Sequence, residues 1–344
     1  MSSNSSPVFI SKNELKPFTN WTDILYALEQ AFLSVSNTSK ETGLPFCSQP
    51  ARSLVQAGEV GLLLCMPGFL GNHCILRDCP ESSRVSTLAC KLIASFGANL
   101  RLETPIPDIN GNIFLFNENT GRLQATLEAN YLTGLRTAAA SIVATEQIFF
   151  SRTTNQSAFV LGIIGTGTQG EFHAIGFLNT HKFVQIRLWN RTKARSEHLR
   201  TKLLELKPNS INSNVHISVH DSVEECCKDC DVIVSATSSS TPLIFNRFLK
   251  SNVHINAIGA GRSHHAELSQ DVYDDCNVFI DYWNGARSEL ATLKANIVGE
   301  IGEVMTKKKN VPSSGITVFQ SIGMAVQDAA IGRLFYDKYQ QNIG

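Results

Sequence analysis

The sequence predicts an α/β protein made of a doubly wound parallel sheet joined to a smaller α+β domain with antiparallel strands. Three observations carry this. From Ala158 onward apolar strands alternate with helical segments, the pattern of a parallel sheet covered on both faces. "AFVLGIIGTGTQGEFHAIGFL", Ala158 to Leu178, is a strand that breaks into glycines and re-forms as a helix. Before about residue 130, β-type runs follow one another without intervening helices, which indicates antiparallel pairing.

Composition narrows the class. The chain has 344 residues, long enough for two domains, and its 30 Lys and Arg balance 30 Asp and Glu. A zero formal charge argues against a nucleic-acid surface, which needs clustered cations. The one basic run, Lys307 to Lys309, reads as a solvated loop. No apolar stretch approaches the roughly 20 residues of a membrane span, and "MSSNSSPVF" lacks the basic start and apolar core of a signal peptide. Nine scattered cysteines, an odd number, suggest reduced thiols and a cytoplasmic location. Cys226, Cys227 and Cys230 lack a second ligand pair at metal spacing, and adjacent His264 and His265 cannot share a helical face; no metal site is expected.

Element by element, "TNWTDILYALEQAFLSVS" opens the chain as an amphipathic helix with Ile24, Leu25, Leu28, Phe32 and Leu33 at helical spacing. The strands "RSLVQ", "GLLLCM" and "TLACKLIASF" follow, then the hairpin "NIFLFNENTGRLQATL" about a turn ending at Gly121. "YLTGLRTAAASIVATEQIFF" is a long alanine-rich helix. Beyond it come the strands "AFVLGII", "VQIRLWN", "VHISV", "DVIVSAT", "HINAIGA" and "NVFIDYW", and "SIGMAVQDAAIGRLFYDKY" closes the chain as a helix. These elements divide the chain into an antiparallel domain at 1–140 and a dinucleotide-binding domain at 141–319.

Gly165, Gly167 and Gly170 form a G-x-G-x-x-G directly after a strand and opening a helix, the Rossmann fingerprint. The first glycine permits the turn, the second lets a pyrophosphate approach the backbone, and the third lets the helix pack on the sheet. The helix N-terminus then offers free N–H groups to phosphate. At the end of the next strand the chain reads Trp189-Asn190-Arg191-Thr192, without the acid that holds an NAD ribose. Arg191 can pair with a 2′-phosphate, and Asn190 and Thr192 can donate to it. NADPH is therefore expected over NADH, with NADH possible.

Three cations stand out in the first domain. Lys91 interrupts an apolar strand, where a lysine is rarely buried unless an anion meets it. Arg136 lies among small helical residues, and Arg52 sits in "QPARSLV". Together they suit a substrate carboxylate; singly, each could equally be structural.

"NYLTGLRTAAAS", "GTGTQG", "LWNRTKARSEHL", "DVIVSATSS", "HINAIGA" and "VFQSIGMAVQD" resemble, in order, the characteristic segments of the ornithine cyclodeaminase/mu-crystallin family, from about residue 45 to about residue 340. The resemblance implies that 1–140 is a substrate-binding and dimerisation domain, completed by the C-terminal helix 320–344, and that the protein is a homodimer built through it. Charge and hydropathy leave no nucleic-acid or membrane partner expected. It implies that Arg52, Lys91 and Arg136 face a substrate carboxylate, and that Thr166, Gly167, Thr168, Gln169, Asn190, Arg191, Thr192, Thr237 and Ser321 line the cofactor. It further implies reduction of cyclic ketimine carboxylates such as piperideine- or pyrroline-2-carboxylate, with Lys91 or a water it orders as the acid. The alternatives are an ornithine cyclodeaminase making proline and ammonia, or a protein that retains NADPH and a small, thyroid-hormone-like ligand without turnover. Where cyclodeaminases carry an acid after the "HINAIGA"-type strand this chain has Gly261, and the mu-crystallin branch lacks that acid too, which favours imine reduction. Other departures are "PDI" at Pro107 to Ile109, Asn284 after "IDYW", and an insertion around "GNHCILRDCPESS".

Overall fold

The computed structural model describes residues 6–37, 46–59, 61–78, 80–104, 106–153, 158–259 and 265–343. The chain falls into two compact units, Met1–Arg136 with Met324–Gly344, and Thr137–Gly323.

The first unit is built on a seven-stranded sheet. Its strands are β1 (Val8–Ile10), β2 (Cys47–Ser48), β3 (Ser53–Ala57), β4 (Gly61–His73), β5 (Val85–Phe96), β6 (Ile109–Phe116) and β7 (Leu123–Glu128). They run in the order β1-β7-β6-β5-β4-β2, with β3 also on β4. All pairs are antiparallel except β1 on β7, a parallel edge strand that the sequence pattern did not reveal. β4 continues through Pro67, well beyond "GLLLCM". Pro67 lacks an N–H; on one side of β4 it lies in the gap between the residues paired by β3 (61–65) and those paired by β2 (69–70), and on the other it is in register with Cys90 of β5.

Side chains alternate across this sheet. One face carries Met66, Leu70, Ala89, Lys91, Ile113, Leu115 and Leu127, all buried. Against β4, β5 and β6 on that face packs the helix Ala325–Ile343, itself covered by the helix Trp21–Ser36. The approach is close: a Cβ at Gly68 would stand 2.9 Å from the Ala325 Cβ. That contact sets the first turn of the helix over β4 and β5. The helix begins at Ala325, not at residue 320, because Gln320 ends a strand and the segment between them turns sharply. Asp281 holds that turn by accepting the Ile322 and Gly323 N–H groups, and Gly323 has φ +77°.

The second unit holds an eight-stranded, wholly parallel sheet. It comprises β8 (Val160–Ile164), β9 (Gln185–Trp189), β10 (His216–Val219), β11 (Val232–Ser235), β12 (His254–Ala257), β13 (Cys276–Ile280), β14 (Asn296–Glu300) and β15 (Ile316–Gln320). The order is β10-β9-β8-β11-β12-β15-β13-β14. β14 and β15 add to the six strands expected; all five residues of β15 are buried between β12 and β13. The strand order reverses between β8 and β11, which is where doubly wound sheets open a ligand crevice at their carboxyl ends.

Cys226, Cys227 and Cys230 are buried under this sheet, and burial pushes the Cys230 thiol up to about 12. Among the described residues no group of three or more His, Cys, Asp or Glu is arranged to hold a metal, and no helix is long and apolar enough to cross a membrane. His265 bonds Thr292 Oγ1 at 2.9 Å; His264 lies outside the described residues.

Candidate active site

In the second unit the glycine loop follows β8 at the switch point. Gly165 has φ +97°, and a Cβ there would meet the Ala236 carbonyl oxygen at 2.6 Å. A Cβ on Gly170 would meet the Gly165 carbonyl oxygen at 1.9 Å, so only glycine lets the helix Thr168–Thr180 start this close to the strand. Gly167 differs: nothing lies within 4 Å of where its Cβ would be. It is the N-cap of that helix, and no side chain caps the free N–H groups. Two glycines are thus required by the chain itself, while the third borders an open cradle over an uncapped helix start. That combination fits the pyrophosphate of a dinucleotide.

The neighbouring loops are tied to this one. Gly165 N–H donates to the Trp189 carbonyl at 2.8 Å, and Thr166 N–H donates to Asn190 Oδ1 at 3.2 Å. Asn190 Nδ2 donates in turn to the Thr192 carbonyl at 3.1 Å. The Asn190 amide therefore braces the loop through Oδ1 and one of its two Nδ2 donors. Arg191 and Thr192 remain exposed at the tip of β9. The acid in the adjoining loop, Asp221, is ion-paired to Lys193 at 2.5 Å, which lowers its carboxyl. Gln169 Oε1 is buried without a hydrogen-bond partner among the described residues, while Thr168 is exposed.

At the ends of β11 and β12 stands a residue that sequence reasoning missed. Glu267 is buried, and accepts Thr237 N–H at 2.6 Å on Oε1 and Gly259 N–H at 2.9 Å on Oε2. Burial raises its carboxyl, and these bonds pull the other way. It clamps the strand ends that bring Thr237 to the crevice. Ser321 is held nearby on the sheet through its N–H to the Ala257 carbonyl, 3.0 Å. Gly261 lies outside the described residues. Ile109 and Asn284, two of the departures noted above, are both exposed.

In the first unit Lys91 and Arg136 converge on one carboxylate. Lys91, 1% exposed on β5, places Nζ 2.8 Å from Asp328 Oδ1 and 2.7 Å from Oδ2. Arg136 Nε lies 3.3 Å from Asp328 Oδ1, and its Nη1 donates to Gln327 Oε1 at 3.1 Å. Burial, with Arg136 and Arg52 acting in the same sense, brings the Lys91 ammonium down to about 8 against the raising effect of Asp328. Arg52 is half-buried and close enough for its charge to be felt at Lys91. Gln49 accepts Val326 N–H on Oε1 at 3.2 Å, and its buried Nε2 has no partner among the described residues. Two cations, Lys91 and Arg136, thus meet the single carboxylate of Asp328, and the positive excess fits an anionic ligand. Gln327, Asp328 and Gln49 were not anticipated. The signal for Asp328 was an acid set within the apolar stripe formed by Met324, Ala325, Ile331, Leu334 and Phe335.

The family model for the ornithine cyclodeaminase/mu-crystallin family matches residues 27–342. Over 339 residues the chain is 30% identical to the ketimine reductase mu-crystallin of Macropus fuliginosus, covering 97% of this chain and 98% of that protein. It is 28% identical over 348 residues to a delta(1)-pyrroline-2-carboxylate reductase of Bacillus cereus, covering 96% and 95% respectively. Among solved structures, the delta(1)-pyrroline-2-carboxylate reductase of Thermococcus litoralis, in complex with NADH and L-proline, superposes with a TM-score of 0.80 at 21% identity, over 97% of this chain and 98% of that one. At that identity the likeness is one of fold.

Proposed function

We propose that this chain, which belongs to the ornithine cyclodeaminase/mu-crystallin family, is an NADPH-dependent reductase of cyclic ketimine carboxylates of the piperideine- or pyrroline-2-carboxylate type. The observation that carries the reading is the buried Lys91–Asp328–Arg136 cluster with Arg52 beside it, a cation excess suited to a small carboxylate. The names of the relatives, ketimine reductase and pyrroline-2-carboxylate reductase, point to the same chemistry.

In this reading Thr166 to Gln169 and Thr237 bind the dinucleotide, and Arg191 takes its 2′-phosphate. When bound, the reduced nicotinamide supplies a hydride to the imine carbon. At the imine nitrogen, the Lys91 ammonium, or a water it orders, would provide the proton. Arg52 and Arg136 orient the carboxylate by bidentate or single charge-assisted bonds. Solvent returns the proton to Lys91, so one reduced nucleotide and one proton are consumed for each cyclic amino acid formed.

The test follows the absorbance of reduced nicotinamide with purified protein and either ketimine. Oxidation is expected, faster with NADPH than with NADH. The Arg191→Ala variant should lose most of that preference, about tenfold for one solvent-exposed charge-assisted contact. A preference unchanged in Arg191→Ala would overturn the 2′-phosphate assignment. Ammonia released from ornithine without net nucleotide consumption would instead make the chain a cyclodeaminase.

Assembly is proposed to be homodimeric, through the sheet face of the first unit that lies opposite the final helix. Val55 and Leu63 are exposed there, and Pro67, Phe69, Leu88, Cys90, Leu92 and Phe114 are half-buried, an apolar surface of the kind that associates. Sedimentation at micromolar concentration should show a dimer that Leu63→Asp weakens; a wild-type monomer would remove this part of the reading. The eight cysteines among the described residues carry free thiols, which supports a cytoplasmic setting.

A further inference from the structure

We infer that Asp328 is the positioning residue for proton transfer, fixing the Lys91 ammonium in place so that Lys91 serves the imine nitrogen while the substrate carboxylate is left to Arg52 and Arg136. The inference deepens the imine-reductase reading and rests on it. It also divides roles among three cations that the sequence had assigned jointly to the carboxylate.

Donor geometry is the first argument. An ammonium has three N–H donors, and a carboxylate with its oxygens at 2.8 and 2.7 Å occupies no more than two of them. One donor is left for a substrate atom or an ordered water. A substrate carboxylate drawn to that same Nζ would meet the negative charge of Asp328 at close range. Arg136 is placed differently. It reaches Asp328 with Nε alone and is anchored by Nη1 on Gln327, so the rest of its fork is open to a second carboxylate. Gln327 Oε1 also accepts Met324 N–H at 3.2 Å, which ties that anchor to the start of the helix.

The charges acting on Lys91 come from each element around it: Asp328 from the final helix, Arg136 from the helix Ala129–Ile148, and Arg52 from the segment before β3. The adjacent Cys90 thiol is raised to about 11, chiefly by burial and then by Cys65, so it stays neutral through the working range. Of the groups acting on Lys91, Asp328 raises its pKa, against burial and both arginines. Lys91 is therefore the charged donor below about 8, and loses that form as the pH rises through it. Without the Asp328 charge the loss comes at lower pH.

The experiment is the pH profile of imine reduction for wild type, Asp328→Asn and Asp328→Glu, with KM and kcat separated. In Asp328→Asn the alkaline limb of kcat should move about 1–3 pH units toward acid, the usual effect of one adjacent opposite charge. Turnover at pH 8 should fall about five- to five-hundredfold, as that shift dictates, and recover on acidification, with KM for the ketimine little changed. Asp328→Glu should return the limb toward the wild-type position. A loss uniform across pH with an unshifted limb would show that Asp328 only stabilises the fold, and would overturn the inference. A second readout is independent of turnover: NMR titration of ¹⁵N-labelled Lys91 Nζ, assigned with Lys91→Arg, in the protein without substrate. The Lys91 pKa should fall in Asp328→Asn, and an unchanged value overturns the inference. If wild type reduces no ketimine, the functional reading has failed, and the titration still decides whether Asp328 governs Lys91. If Asp328→Asn does not fold, the decision passes to Asp328→Glu. Because glutamate keeps the charge and moves it, a kcat lowered with the limb in place in a protein that melts like wild type supports the positioning role; a wild-type kcat, or a loss matched by lost stability, excludes it.

Discussion

The Lys91→Met variant is expected to lose imine reduction by about a hundred- to ten-thousandfold, the usual contribution of a positioned general acid, while binding reduced nucleotide as tightly as wild type. Methionine retains most of the stem volume in a site where Lys91 is 1% exposed, so the change removes charge and donor without opening a large cavity. Breaking a buried ion pair commonly costs about 3–5 kcal/mol, because the surviving partner is left uncompensated. Here Asp328 keeps Arg136, with Nε at 3.3 Å, so a folded protein with a lowered melting temperature is expected. Single-turnover rates, nucleotide titration and thermal melting on the same preparation check the result. Turnover and nucleotide affinity falling together would make Lys91 structural and return the proton to another donor. Lys91→Arg separates the two effects further, since arginine keeps the charge but cannot give up its proton near neutral pH.

What the sequence made legible was local anomaly. A lysine in "TLACKLIASF" and an arginine among alanines contradict the environment their neighbours create, so both could be singled out without a structure. The glycine loop was legible for the same reason: strand, turn and helix lie within a dozen residues, and the demand at Gly165 for φ +97° is made by its own neighbourhood. Asp328 was not legible, because its meaning lies 237 residues away in Lys91, and on its own helix it reads as one acid among small residues. Glu267 was missed likewise. Its partners are backbone N–H groups of Thr237 and Gly259, which carry no side-chain signature. β1 has three residues and pairs with β7 far along the chain, too short to declare a period of two. β15 is five residues long and lies just ahead of a long helical stripe, too short to declare itself beside it. Asn190 carries a second meaning that its type did not show: its amide ties the loop through Thr166 and Thr192.

The glycine loop offers a contrast in which the fold and the ligand give opposite signs. Gly170→Ala would place a methyl 1.9 Å from the Gly165 carbonyl oxygen, a backbone atom that cannot yield without moving strand and helix apart. Overpacking of this kind costs about 1–3 kcal/mol or more, roughly 5–10 °C of melting temperature for a unit of this size, and nucleotide affinity should fall with stability. Gly167→Ala meets no such obstacle. Its φ is −76°, nothing lies within 4 Å of the added methyl, and replacing glycine at a compatible position stabilises by up to about 1 kcal/mol through the unfolded chain. Its melting temperature should hold or rise. Yet the methyl would stand where a pyrophosphate must approach the uncapped N–H groups of the helix Thr168–Thr180, so the Kd for NADPH should rise on the order of a hundredfold, about 2.7 kcal/mol. Isothermal titration beside thermal melting reads both effects. If Gly167→Ala binds nucleotide like wild type, the phosphates do not lie against this loop. If it melts early, the space around Gly167 is needed by the chain, and glycine there answers to the fold and not to a ligand.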